Sequence, residues 1–359
     1  MTTAHATLPI AVRRARPDDR DVVLGFATNT WDGWDYIPQA WPHWIGADDA
    51  VLLVATAQDD DRPIALTRVA LLSDTEGWLE GIRVDPAVRG HGVATRLQVA
   101  ELTWARAHGL HVLRYATGHG NEGSLRLGAR GGFVRLSDRR TYGRPKLEAA
   151  TDEASHKPDT AREQEGRRLL LAALAAEGLV LPAGAPGLEI EAAWRIIERD
   201  ATFAAGDRLY ELRQWALQEL TAERFGAHAR AGEVLLDPDH RAVAILPRVG
   251  RRYSEDLRPQ LTVLAGDGRA ALELLLAVER LAAGQPVTVR LPDPDPPLLG
   301  NPQTAAAWTG AGIEAHRYPL AILARSLPVD EPQPAADPPS ALEFRDPPRR
   351  VARAPEIGA

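Results

Sequence analysis

The sequence of 359 residues contains no cysteine. This absence excludes disulfide bonds, cysteine-ligated metals and a thiolate nucleophile supplied by the protein. The sequence also lacks a run of about 18 apolar residues, so it predicts no membrane-spanning helix. Its first residues, Met1 to Leu8, lack the basic and then apolar layout of a signal peptide. We therefore expect a cytoplasmic protein with no membrane partner.

An excess of positive charge is also missing. The formal net charge is −7, which does not favour broad binding to nucleic acid. Apolar residues make up 45% of the chain and charged residues 25%, as in an ordinary globular protein. Because the chain is too long for one ordinary hydrophobic core, the sequence predicts two domains.

The first part of the chain alternates between strand-like and helix-like patterns. We predict strands at 9–13, 51–55, 63–72, 78–84, 111–117 and 133–142, and helices that begin at residue 17 and cover 93–107 and 122–130. A polar, charged stretch then predicts a linker. These patterns place the first domain at 1–147 and the linker at 148–166.

The second part begins with a helical region, predicted over 169–176, 192–199 and 208–222. Strand-like and helix-like patterns then return in an order that resembles the end of the first domain. The predicted pieces are strands at 233–236, 242–247 and 260–265, a helix at 270–283, a strand at 287–291, a helix at 304–309 and a strand at 313–323. We interpret residues 167–328 as an internal duplication of the fold. Residues 329–359 are rich in proline and charge and predict a tail without its own core.

A glycine-rich turn lies between a predicted strand and a predicted helix. Its residues are Arg89, Gly90, His91, Gly92, Val93 and Ala94. Glycines let the backbone approach a ligand closely, and the free N–H groups of a helix start attract anions. On spacing alone, a tight turn without a ligand explains the two glycines equally well.

The residues around this turn carry a family resemblance. Residues 84–94 resemble the acyl-CoA signature of the GNAT superfamily of N-acetyltransferases, with Arg89, Gly92 and Ala94 in its defining places. Asn121 stands eleven residues before Gly132, which is similar to the family's spacing between its asparagine and its Gly-Phe pair. The order of elements over residues 9–145 is also similar to that of the family.

The resemblance implies an α/β fold with a mixed sheet whose two central strands separate to hold acetyl-CoA, with no metal. Backbone groups at Ile82, Arg83 and Val84 would bind the pantetheine arm. The pyrophosphate would lie on residues 89–94 and Thr95, with Asn121 and Ser124 on the other side of the cofactor.

The same resemblance suggests a catalytic base but no acid. Glu80 stands where the family often has a glutamate, and a carboxylate there could accept the amine proton directly or through water. A charged pair on the strand face explains Glu80 equally well. The family's usual tyrosine position is filled by Gly128. Water, Ser124 or Tyr115 could compensate, or the thiolate could leave unprotonated, since the corresponding thiol has a pKa of about 8.5.

The acceptor would bind at an aromatic stretch. Its candidate residues are Trp31, Trp34, Asp35 and Tyr36. Aromatic faces and carboxylates suit a small cationic amine, whereas packing of the first helices onto the sheet is the structural alternative. Residues 35–38, 44–45 and 79–86 resemble the histidine N-acetyltransferase group, which implies a small primary amine such as an amino acid. A protein-lysine acetyltransferase and a CoA-binding regulatory protein stay open as alternatives.

The second half has a turn in the equivalent place, with Gly266, Asp267 and Gly268. The Arg-x-x-Gly-x-Gly/Ala pattern is missing there, and the carboxylate of Asp267 would repel a phosphate. We therefore expect a degenerate GNAT-like domain and one cofactor site per chain. The sequence leaves monomer and homodimer open.

Overall fold

A computed structural model of the chain describes residues 9–28, 30, 35–57, 60–145, 160–213, 215–247 and 259–328. The strands are β1 (Ile10–Arg14), β2 (Ala50–Ala57), β3 (Asp60–Leu71), β4 (Glu76–Val84), β5 (Val112–Gly118), β6 (Val134–Gly143), β7 (Leu209–Arg213), β8 (Ala216–Glu219), β9 (Val234–Leu236), β10 (Ala242–Ile245), β11 (Gln260–Leu261), β12 (Val263–Gly266), β13 (Thr288–Asp293), β14 (Glu314–Ala315) and β15 (Leu320–Ser326). The helices are α1 (Arg20–Ala27), α2 (Ile37–Trp44), α3 (Val93–Ala107), α4 (Glu122–Arg130), α5 (Thr160–Ala176), α6 (Gly187–Arg199), α7 (Ala201–Ala205), α8 (Ala222–Arg230), α9 (Gly268–Leu281) and α10 (Pro302–Gly310). No helix within these ranges is long and apolar enough to cross a membrane.

The described residues form two compact units that are discontinuous in sequence. Unit 1 comprises the chain up to Tyr115, residues 122–134 and the chain from Leu323 onward. Unit 2 comprises 116–121 and 135–322. The predicted domain limits at residues 147, 166 and 328 stay predictions, and linker residues 148–159 and the tail 329–359 lie outside the described residues.

Unit 1 is built on a sheet with the order β1-β2-β3-β4-β5, followed by residues 323–326 of β15. The first four strands pair antiparallel, whereas β4 and β5 pair parallel. The predicted mixed α/β sheet is therefore confirmed. Strand β2 is buried almost throughout, as its continuous apolar sequence predicts for a strand covered on both faces.

Helices cover the two faces of this sheet. Successive side chains of a strand point to opposite faces. Accordingly, Thr67 of β3 bonds to Glu101 of α3, whereas the next residue, Arg68, lies under Trp44 of α2. Helices α2 and α3 therefore pack on opposite faces of the sheet.

Strand β4 contains a bulge. Leu66 pairs with Arg83 and Arg68 pairs with Glu80, so β4 has one more residue than β3 across this step. Gly81 takes a φ of +75°, and a Cβ there would lie 2.6 Å from the Trp44 ring. Because the bulge shifts the alternation by one residue, Glu80 and Arg83 reach the same face of the sheet.

Unit 2 contains smaller sheets. Strands β12, β10 and β9 form one antiparallel sheet and β7 and β8 form a hairpin. Strand β6 pairs antiparallel with β13 and β14, and β13 pairs parallel with β11. The predicted helix over 208–222 is wrong, because a hairpin occupies most of it. Trp215 turns this hairpin with a φ of 59°, a left-handed conformation that ends any helix.

Candidate active site

The turn between β4 and α3 presents an open helix start. Gly90 and Gly92 adopt φ values of +82° and +80°, and α3 begins at the next residue, Val93. Across the described chain, no side chain caps this end of α3. The N–H groups of a first helical turn have no partner within the helix. The start of α3 therefore offers its amides to an anion.

Space around the turn is also open. A Cβ added at Gly90 or Gly92 would meet nothing within 4 Å. Val93 is buried and anchors the helix start, while Thr95 is exposed and Ala94 half-buried. The glycines are thus required by their backbone angles and not by crowding, as expected for a turn that a ligand can approach.

Basic side chains flank the turn. Arg89 is exposed, and its Nε donates to the carbonyl of Val84 at 3.3 Å. The Nδ1 atom of exposed His91 lies 3.1 Å from the carbonyl oxygen of Arg89. Arg89 also lines a cleft of about 690 Å³, a volume typical of small-molecule sites. The other lining residues are Asp21, Val22, Gly25, Phe26, Thr28, Arg62, Asp85 and Pro86.

Strands β4 and β5 separate where the resemblance places the pantetheine arm. Their parallel pairing covers only Glu76 to Trp78 on β4. Further along β4, Arg83 and Val84 still pair with β3 on the other edge. Ile82, Arg83 and Val84 are all half-buried. Over residues 82–84, β4 is therefore no longer paired with β5 in the described part of the chain.

Glu80 is held by a buried arginine. Its carboxylate forms an ion pair with Arg68, whose side chain is fully buried, while the Glu80 side chain is 15% exposed. Asp49 adds a second carboxylate 3.6 Å from Arg68, and the guanidinium lies 5.4 Å from the Trp44 ring centre. Glu80 therefore compensates the buried positive charge of Arg68, independently of any role in catalysis.

Asp35 is occupied within the protein. Its fully buried carboxylate accepts bonds from Arg83, at 2.7 Å from Nε and 3.1 Å from Nη2, and from the backbone N–H of Ile37 at 3.0 Å. The carboxylate thereby ties the start of α2 to β4. A direct bond from Asp35 to an acceptor amine would have to compete with this bidentate pair.

Tyr36 packs beside the same groups. The Arg83 guanidinium lies 5.2 Å from its ring centre, and its ring meets Trp44 edge-on at 5.9 Å. Removal from water raises the pKa of the phenol to about 12, so the hydroxyl stays protonated at neutral pH. The other two predicted acceptor residues, Trp31 and Trp34, lie outside the described residues.

Asn121 and Ser124, the two remaining predicted cofactor residues, belong to different units. Asn121, in unit 2, is exposed, and its backbone N–H donates to Gly118 at 2.8 Å. Ser124, in unit 1, is half-buried in the first turn of α4, and its carbonyl accepts a bond from the Tyr115 hydroxyl at 3.0 Å. Gly128 is buried one turn further along α4.

Three buried polar residues stand outside the predicted cofactor and acceptor residues, and Tyr115 among them is named from the sequence only as a possible substitute acid. Arg68 interrupts the apolar run of β3, and a charge inside such a run signals a buried pair. Glu101 is 3% exposed, and burial raises its pKa to about 8, although the Thr67 hydroxyl bonds to it. Tyr115 is 9% exposed. The sequence carries no signal for Glu101 beyond its position on α3.

The corresponding turn of unit 2 is closed. The carboxylate of Asp267 accepts from the backbone N–H groups of Arg269 at 3.1 Å and Ala270 at 2.9 Å, so it caps α9. A Cβ at Gly266 would overlap the carbonyl of Arg241, and one at Gly268 would overlap that of Leu298. Across the described ranges, no group of three or more His, Asp or Glu side chains could hold a metal ion.

Known proteins resemble this chain in part of its sequence and in its fold. The model of the acetyltransferase (GNAT) family matches residues 22–133. No curated protein matches the sequence significantly. A crystal structure from Thermoplasma acidophilum, provisionally designated an acetyltransferase, is 16% identical with a TM-score of 0.50, covering 88% of this chain and 99% of that chain. A GCN5-related N-acetyltransferase from Sphaerobacter thermophilus gives 16% identity and a TM-score of 0.50, covering 89% and 97% respectively.

The two structural likenesses show the fold alone, and they extend over nearly the whole chain. The family match covers α1 through α4, and with them the open turn, the β4 bulge and Glu80. Residues 22–133 are therefore similar to the acetyltransferase domain of the GNAT family.

Proposed function

We propose that the chain transfers the acetyl group of acetyl-CoA directly to the primary amine of a small molecule such as an amino acid. The observation that carries this proposal is the open turn at residues 89–94. Its left-handed glycines, uncapped helix start and flanking arginine suit a pyrophosphate. The family whose model residues 22–133 match uses acetyl-CoA.

Acetyl-CoA supplies an acetyl group on a thioester with a tolerable leaving group. The amine nitrogen forms a bond to the carbonyl carbon, the carbon–sulfur bond breaks, and the amine proton must go to a base. Glu80 is our candidate, acting directly or through water. The buried Arg68 holds its carboxylate in place on the bulged strand, on the same face as Tyr36 and Arg83.

Aromatic and charged groups at the β4 bulge support a small acceptor. Tyr36 offers an aromatic face and a protonated hydroxyl beside the guanidinium of Arg83. Asp35 contributes through Arg83, which it orients, and not as a free carboxylate. The likeness to the histidine N-acetyltransferase group favours an amino acid, and Trp31 and Trp34 stay predicted acceptor residues.

The test of this function is release of CoA thiol from acetyl-CoA across amino acids, polyamines, aminoglycosides and a lysine peptide. We expect turnover with at least one free amino acid. Turnover with the lysine peptide and none of the small amines would contradict the proposed acceptor class.

Glu80→Gln should slow turnover by about 10²-fold or more, mostly at low pH where amines are protonated, because positioned bases typically supply this much. The glutamine oxygen can still accept a bond from Arg68. Asp49→Asn is the matched control, because it removes the other carboxylate near Arg68 and leaves Glu80 intact. An unaltered rate in Glu80→Gln would eliminate Glu80 as the base.

A second candidate is a CoA-binding regulatory protein without turnover. The observations in its favour are the pairing of Glu80 with Arg68 and the absence of a side chain at Gly128. Tight CoA binding without thiol release for any amine would favour it over the transferase.

We also infer that residues 167–328 form a degenerate GNAT-like domain without a cofactor site. Asp267 uses the amides at the start of α9 for its own cap, and both neighbouring glycines are packed against backbone carbonyls. A phosphate would have to displace that cap and overcome the repulsion of its carboxylate.

A further inference from the structure

Gly128 of α4 is buried and faces a tyrosine of β5. A Cβ built on Gly128 would overlap the hydroxyl oxygen of Tyr115 and would lie 3.0 Å from the ring carbon that bears it. Any larger residue at position 128 would therefore have to displace the phenol. Because Gly128 has no side chain, the Tyr115 phenol of β5 can occupy this space.

The Tyr115 phenol has two further contacts besides Gly128. Its hydroxyl donates to the backbone carbonyl of Ser124 at 3.0 Å. Its ring meets Phe133 edge-on at 5.3 Å, and only 9% of the residue is exposed. Tyr115 therefore connects the point where β5 leaves β4 to the first turn of α4.

We propose that Tyr115 is a positioning residue for the cofactor, because it holds the first turn of α4, with Ser124, at a fixed distance from β5. Gly128 is the partner that makes this arrangement possible. The inference rests on the proposed acetyl-CoA site, since Ser124 is predicted to lie beside the cofactor.

Tyr115 is a poor candidate for the acid that protonates the departing thiolate. Its hydroxyl is already committed to Ser124. Burial also raises the pKa of the phenol to about 12, against about 8.5 for an ordinary thiol, so proton transfer to the thiolate would be strongly uphill. The phenol acts on the helix and not on the reacting atoms.

Tyr115→Phe is the direct test, because it removes only the hydroxyl. We expect the KM for acetyl-CoA and the Kd for CoA to rise by about 3- to 10-fold, as for the loss of one hydrogen bond, with kcat within about twofold of wild type. Thr103→Val is the matched control, since it removes a hydroxyl that donates to a backbone carbonyl within α3. It should lower thermal stability without changing either constant.

Three results would overturn the inference: an unchanged Kd in Tyr115→Phe, an equal change in Thr103→Val, or a large fall of kcat at unchanged KM. The Kd is measured by calorimetry without turnover. If wild type binds no CoA, the proposed function fails and the inference with it. If wild type binds CoA and Tyr115→Phe binds equally well, the inference alone fails.

A second pair of variants tests the geometry independently of the cofactor. Gly128→Ala should lower the thermal midpoint by about 5 °C or more, because its methyl group overlaps the hydroxyl. Adding Tyr115→Phe should restore part of that loss, since the overlapping oxygen is gone. A double variant no more stable than Gly128→Ala alone would show that the two residues do not share this space.

Discussion

The turn between β4 and α3 and the turn between β12 and α9 both place glycines between a strand and a helix. In the first, Gly90 and Gly92 face open space and the helix starts without a side-chain cap. In the second, Asp267 caps the helix and Gly266 is packed against the Arg241 carbonyl. The same strand, turn and helix can thus be kept open for a ligand or closed by the protein's own groups.

The difference shows that glycines between a strand and a helix do not by themselves indicate a binding site. In the second turn, Gly266 is needed for its φ of +104° and also because a backbone carbonyl fills the space of a side chain. In the first turn glycine is needed because the backbone angles are left-handed while the space stays empty. A phosphate can bind only where the first N–H groups of the helix are not already bonded to a capping carboxylate, since both ligands use the same donors.

The largest expected effect concerns the buried acids on the two helices that follow these turns. Glu101 on α3 bonds to Thr67, whereas Glu279 on α9 pairs with Arg144 at 2.9 Å. The pKa of Glu101, about 8 when folded, exceeds its ordinary value, so the folded state keeps a proton that the unfolded state releases. Stability should therefore fall between about pH 5 and pH 8, by on the order of 1 kcal/mol per pH unit, and level off above that range.

Denaturant titrations across this pH range measure that loss. Glu101→Gln cannot ionise, so it should flatten the profile and stabilise the protein at pH 8. Glu279→Gln makes the same substitution in α9 and is the control for the loss of a buried carboxylate as such. An equally steep profile in Glu101→Gln would show that another group carries the pH dependence.

The next largest expected effect is the difference in lost stability between Gly266→Ala and Gly92→Ala. The first adds a methyl group that overlaps a backbone carbonyl, at a φ of +104°. We expect a loss of about 3 kcal/mol from overlap and strain together. The second meets nothing within 4 Å and should cost about 1 kcal/mol of stability for its φ of +80°. Equal losses in thermal and denaturant unfolding would contradict the difference in packing.

Reversing a charge compares the two turns as anion sites. Arg89→Glu should weaken CoA binding by more than about tenfold, because it places a carboxylate beside the open amides. Arg269→Glu makes the same change beside the second turn and should leave CoA affinity unchanged. If the affinities of both variants match wild type, the first turn does not bind the pyrophosphate.

Asp267→Ala should have the smallest effect. Loss of a helix cap costs about 1 kcal/mol of stability, and α9 would then start uncapped as α3 does. We expect no second CoA site, because Gly266 and Gly268 stay packed against backbone carbonyls. Calorimetry that finds two CoA molecules per variant chain would mean that the cap alone closes the site.

Local patterns predicted much of unit 1. The predicted helix at 93–107 spans the residues of α3, and the predicted strand at 111–117 is shifted by one residue from β5. The glycine turn between β4 and α3 lies where the sequence predicts it, because its signal lies in six consecutive residues. Such elements depend on periodicity and turn chemistry within one stretch of chain.

The parts that failed depend on turn conformation or on contacts between distant residues. The helix predicted over 208–222 is a hairpin whose strands belong to unit 2, and helical periodicity alone could not reveal the left-handed turn at Trp215. Nor could the sequence show that Arg83 holds Asp35, because 48 residues separate them. The return of residues 323–326 to unit 1 is another long-range pairing without a local signal.

We propose that the chain has one cofactor site, on the open turn. Isothermal titration of the wild-type chain with CoA is the decisive measurement. We expect one CoA per chain, bound with an affinity that Arg89→Glu lowers by more than about tenfold and Asp267→Ala leaves unchanged. Two CoA molecules per chain, or binding that Asp267→Ala disrupts and Arg89→Glu does not, would contradict it.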